Sequence, residues 1–74
     1  MAVLTNEDLG EMFSFHKPEH YQIEHFEHIR LAAREFAEQI LLHTPPSPDQ
    51  IEAIRKVREA VMTANSAIAL KGKY

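Results

Sequence analysis

The residues of this chain that could do chemistry fall into three groups, and histidine supplies the first: His16, His20, His25, His28 and His43. On a helix, His25 and His28 would share a face and could share a metal, with His16 and His20 as further ligands. The frames that hold such metals, Glu-x-x-His and His-Glu-x-x-His, are absent from the sequence. There is no Cys, and Ser14, Ser47 and Ser66 lack the setting of an activated nucleophile. The many Glu residues are explained by a solvated helix face. The expectation is therefore a protein that is not an enzyme, with no catalytic residue, no metal and no cofactor, and with histidines at the surface or at a pocket edge.

The second group is the stretch FSFHKPEHY, residues 13–21, which holds Phe13, Phe15, His16, Lys17 and Tyr21. Aromatic faces stack on nucleobases, and Lys or Arg neutralises phosphate. Arg30, Arg55 and Arg58 could add charge from helices, and Lys71 and Lys73 from the tail. The plainer reading makes Phe13 and Phe15 plugs of a core, with the cations solvated. The third group is Arg58 and Asn65, seven residues apart beside an apolar stripe. A polar group buried there needs a partner, either across a subunit contact or on a ligand.

The elements that position these groups are helices. Residues 47–70 open with Ser47, Pro48 and Gln50, the pattern of an N-cap, a first-turn Pro and a capping box. Ile51, Ile54, Val57, Val61, Ala64 and Ile68 then recur at helical spacing, and Gly72 marks the stop. Ala53, Ala60 and Ala67 form a second small-residue series, so this helix is apolar over more of its surface than one partner helix covers. Subunit contacts follow from that. Residues 18–43 form the other long helix, with Pro18 placed to begin it and Phe26, Ile29, Ala33, Phe36 and Ile40 on one face. Its outer face sets Glu27 against Arg30 and Arg34 against Glu38. Thr44-Pro45-Pro46 is a stiff reversal that makes the two long helices antiparallel. Thr5 and Asp8 cap a short helix near 6–12 in an arm spanning 1–17, which Pro18 ends in an extended segment. The fold class is all-α: a single domain made of a short helix and an α-hairpin, assembled as a homo-oligomer.

At 74 residues a lone core is marginal, and without Cys self-association is the remaining source of stability. A net charge of −3 with no basic run disfavours duplex nucleic acid as a partner. No apolar run reaches the roughly 20 residues of a membrane span, and no signal peptide is visible, so a cytoplasmic location is expected.

The run AIRKVREAVMTANSAIAL after a Pro-rich turn, preceded by FSFHKP and a Tyr-led helix, resembles the small phage and prophage helical-hairpin family. That family includes the anti-CBASS and anti-Thoeris sponges, and its clearest local match here is residues 60–69. The resemblance implies a hexamer of hairpins in the host bacterial cytoplasm. It would sequester a cyclic di- or trinucleotide, or an NAD-derived cyclic signal, without chemistry. It places Phe15, Lys17 and Tyr21 near the arm, with Arg58 and Asn65 from the last helix, as ligand-binding residues. The Tyr-Arg-x-Leu stretch that opens cyclic-dinucleotide sponges is missing, and the FSFHKP arm stands nearest to its role. A helical interaction module with no small ligand is the alternative, and a metal-dependent helical enzyme using the histidines is a third.

Overall fold

A computed structural model describes residues 3–74; the first two positions of the arm lie outside the described residues. Three helices follow one another: α1 (Asn6–Met12), α2 (His20–His43) and α3 (Pro48–Ala69). No strand is found among the described residues, so the chain is all-α as the periodicity predicts.

Each helix end has an identifiable closure. The Asp8 N–H donates to Thr5 Oγ1 at 3.2 Å and the Thr5 N–H to Asp8 Oδ2 at 2.9 Å, a reciprocal capping box that starts α1. The helix runs on through Gly10 to Met12. In the connector, the Ser14 hydroxyl donates to the Gly10 carbonyl, and His16 Nε2 lies 2.6 Å from the Glu11 carbonyl. A carbonyl only accepts, so His16 Nε2 carries the proton there.

One expected start and one expected cap bond are corrected. The second helix begins at His20, not Pro18, with Glu19 as its N-cap. The cause is Gln22, whose Oε1 accepts the Glu19 N–H at 3.0 Å and fixes Glu19 as the cap, leaving Pro18 outside. At α3 the Ser47 hydroxyl accepts the Gln50 N–H at 3.1 Å, but Gln50 does not reach back to complete a box. Its amide instead donates to Thr44 O and Oγ1, both at 3.1 Å, because the end of α2 leaves that carbonyl without a helical donor.

A third correction lies at the far end. Gly72 is left-handed (φ 75), but so is Lys71 (φ 56), and Lys71 takes the position just past the cap Leu70 that glycine usually fills. The Lys71 N–H donates to Ile68 O at 3.2 Å and the Gly72 N–H to Ala67 O at 3.0 Å, the paired bonds of a Schellman close. Holding a residue with a Cβ there costs about 1–2 kcal/mol.

The long helices pack antiparallel. Gln22, at the start of α2, donates through Nε2 to the Ile68 carbonyl at 2.9 Å near the end of α3, while Gln50 and Thr44 join the opposite ends. Gln22 is 3% exposed, and among the described residues no apolar side chain is buried. The radius of gyration is 15.5 Å, against about 11 Å for a compact domain of this length. The Arg30–Glu27 and Arg34–Glu38 pairs form as their spacing predicts, at 3.6 and 3.1 Å, but both are exposed and contribute only about 0.3–0.5 kcal/mol each.

Replacing Gln22 by Ala removes two hydrogen bonds made by a buried side chain. A loss of about 1–3 kcal/mol is expected, read as a lower urea midpoint at fixed protein concentration. An unchanged midpoint would mean that the Gln22–Ile68 link does not hold the hairpin together.

Candidate functional site

The arm leaves its aromatic groups in solvent. Phe13 is 82% exposed, Phe15 87% and Tyr21 56%, and Lys17 is also exposed. The reading of Phe13 and Phe15 as core plugs therefore fails for the single chain. The segment between α1 and α2 carries no helical or strand bonding over residues 15–19, so its aromatic faces are available to stack.

The tail comes back onto this end of the hairpin, a feature that composition did not reveal. Lys71 Nζ sits 3.0 Å from Glu19 Oε1, and Lys73 Nζ lies 2.7 Å from Glu11 Oε1. The Tyr74 hydroxyl is 3.2 Å from Asp8 Oδ1 and 3.3 Å from Glu11 Oε2. Met12, Phe13, Ala67, Leu70 and Tyr74 line a cavity of about 300 Å³ under this clasp. The two tail lysines that the sequence offers for phosphate are thus each paired with a carboxylate. The Schellman close at Lys71 and Gly72 turns the tail toward α1, a reversal that the Leu-Lys-Gly-Lys run signals only weakly.

Electrostatics at the clasp follow from these contacts. The Thr5 N–H holds the Asp8 carboxyl below its usual range, and the hydrogen bond from Lys73 does the same for Glu11. Glu19 raises the Lys71 ammonium, with a smaller contribution from nearby Tyr21. Desolvation, then the hydrogen bond to Asp8, pushes the Tyr74 phenol up to about 12.

Arg58 stands elsewhere. It lines a shallow groove with Arg30, Arg34, Ala37 and Ile54, midway along the hairpin. Arg30 and Arg34 have carboxylate partners within their own helix, whereas Arg58 has no ion pair among the described residues. Ten residues separate Arg58 from Ile68, or about 15 Å along α3. One chain therefore does not bring Arg58 to Phe15, Lys17 and Tyr21. Asn65 lies within a turn of Ile68, at the level where Gln22 crosses to α3. Its Oδ1 is buried and has no partner among the described residues, so it lacks a donor.

The histidines do not converge. His28 Nε2 lies 3.5 Å from Glu24 Oε1, His16 is taken by the Glu11 carbonyl, and no group of three or more metal-ligating side chains gathers among the described residues. No described helix is long and apolar enough to cross a membrane.

Sequence spacing did not single out a further concave feature, an open groove of about 620 Å³ between α2 and α3, lined by Ile29, Phe36, Ile40, Ala53, Ala60 and their neighbours. The Ala53 and Ala60 series was its signal. Gln22 was also legible, since it stands four residues before Phe26, in phase with the apolar stripe.

No protein-family model, curated protein or solved structure matches the chain. Its own residues carry the functional reading.

The clasp has a pH window. Asp8 and Glu11 are lowered, so their contribution is full above the ordinary carboxylate values near about 4 and fades as pH falls through the lowered ones. Tyr74 and Lys71 are raised, so theirs is full below about 10 and fades as pH climbs, for Tyr74 through about 12. Backbone NMR relaxation of Lys73 and Tyr74 is expected to show an ordered tail at pH 7 and a mobile one at pH 2.5 and at pH 12.5. A tail equally mobile at all three would refute the clasp.

Proposed function

We propose that the chain is a non-catalytic capture protein of the helical-hairpin sponge type, which holds a cyclic di- or trinucleotide or an NAD-derived cyclic signal within an oligomer of hairpins. The source would be a phage or prophage acting in its host's cytoplasm. The observation that carries this reading is the exposed arm, where Phe15, Lys17 and Tyr21 all leave their side chains in solvent. Stacking on such faces contributes about 1–3 kcal/mol per base. Lys17 supplies charge for a phosphate, and Asn65 has an acceptor free for a ligand N–H or hydroxyl. Arg58, too far along its own hairpin, reaches the ligand from a neighbouring subunit. The sponge family, a hexamer in its characterised members, provides the frame for such sharing.

A second reading, a helical interaction module without a small ligand, is favoured by the groove between α2 and α3. Its lining is apolar apart from Lys56, which suits a protein surface better than a nucleotide.

Capture and release separates the two. The protein, in excess, is incubated with a panel of cyclic di- and trinucleotides and cyclic ADP-ribose isomers, and free ligand is assayed before and after heat denaturation. A sponge depletes one ligand and returns it intact. Lys17→Ala and Arg58→Ala should each weaken its Kd by about 10-fold or more, as expected for a lost charged hydrogen bond. Helix content by circular dichroism should not change, since both side chains are exposed. Retained affinity in both variants removes the site; a ligand consumed and not recovered means an enzyme; no depletion at all favours the interaction module.

A further inference from the structure

We infer that the groove between α2 and α3 is the seam of a two-fold dimer of this chain, in which Ile29 and Phe36 of each copy seat against Ala60 and Ala53 of the other. This deepens the self-association in the proposed function but does not depend on its ligand.

Exposed area comes first. The chain exposes 6383 Å², whereas a folded monomer of 8.5 kDa exposes about 4,650 Å². The surplus of about 1,700 Å² per chain is of the size that obligate homodimers bury. It includes apolar groups that a compact monomer covers: Phe36 is 60% exposed and Ile29 37%.

Shape then selects the occupant. The lining of the groove includes a bulky pair seven apart on α2, Ile29 and Phe36, and a small pair seven apart on α3, Ala53 and Ala60. The Gln22–Ile68 bond sets the antiparallel register. It brings Ile29 to the height of Ala60, and Phe36 to the height of Ala53. A two-fold axis along the hairpin places α2 of one copy over α3 of the other without changing height. Each bulky side chain then meets a small one, twice over, as knobs meet holes. A face that carries both sets at one period is complementary to itself, and a foreign partner would need only one of them.

Charge does not oppose closure. Lys56 is the single charged residue lining the groove, and its ammonium already lies 3.5 Å from Glu52 Oε1. The partner must also be present whenever the chain is folded, because no apolar side chain is buried without it among the described residues. A second copy meets that condition by itself.

The test is made on nucleotide-free protein, so that it fails separately from ligand capture. Sedimentation equilibrium of the unmodified chain should give an even multiple of the chain mass. Phe36→Asp, at a position exposed in the single chain, should raise the dissociation constant at least 100-fold. Because that variant could fail to fold, cross-linking provides an independent readout. The chain has no Cys, so Phe36→Cys protein mixed with Ala53→Cys protein can join through a short bis-maleimide only between chains. That mixture should cross-link efficiently, and Phe36→Cys mixed with Glu59→Cys should not. A single-chain mass at tens of micromolar overturns the proposal, including the case of a folded monomer that captures a different protein. So does an oligomer in which the 36–53 mixture links no better than the control.

Discussion

Two helices that touch along one line enclose nothing, and every other property of this chain answers to that constraint. α2 and α3 meet through their stripes, yet each keeps much of its apolar surface in water, and among the described residues the buried side chain is an amide, Gln22. Hydrophobic burial normally outweighs the conformational entropy of ordering a chain, and an isolated hairpin obtains little of it. What holds the backbone in shape is local: the caps at Thr5 and Ser47, the Glu19–Gln22 closure and the paired bonds that end α3. Such contacts specify where helices start and stop. They do not supply the bulk of folding free energy.

The two ends of the hairpin are built differently. The Pro45-Pro46 end is closed by Thr44, Ser47 and Gln50, whose side chains bond one another and the backbone. The opposite end gathers the tail, the arm with its exposed aromatics, and the Asn65 oxygen that has no partner among the described residues. Exposed Phe15, Lys17 and Tyr21 belong to that end, while the groove between the helices is lined by apolar residues and Lys56.

The helices were legible because their signals are local. Thr5 and Asp8, Ser47 and Pro48, and the stripes through Phe26 to Ile40 and Ile51 to Ile68 involve residues within a turn of one another. The displaced start of α2 and the incomplete capping box of α3 have the same kind of cause: Gln22 and Gln50 each had two partners within reach, and spacing alone does not choose between them. Lys71 took a left-handed position that composition assigns to glycine, one residue away. The clasp was not legible, since it joins Glu11 to Lys73 across 62 positions and depends on how α3 ends. Of the candidate site, the exposure of the arm was foreshadowed by its Pro-terminated, aromatic-rich composition. The distance of Arg58 from that arm follows only from the register that Gln22 sets.

The clasp has a topological consequence. With Lys73 and Tyr74 held against Asp8 and Glu11, the head and tail of the described chain lie side by side, and the path is nearly a closed circuit. Order along the chain then matters less than adjacency. A short link across the clasp, with new ends cut at the Pro45-Pro46 reversal, would present the same two long helices as α3 followed by α1 and α2. In such a permuted chain the reversal becomes a pair of free ends, and the clasp becomes the hinge on which the hairpin folds.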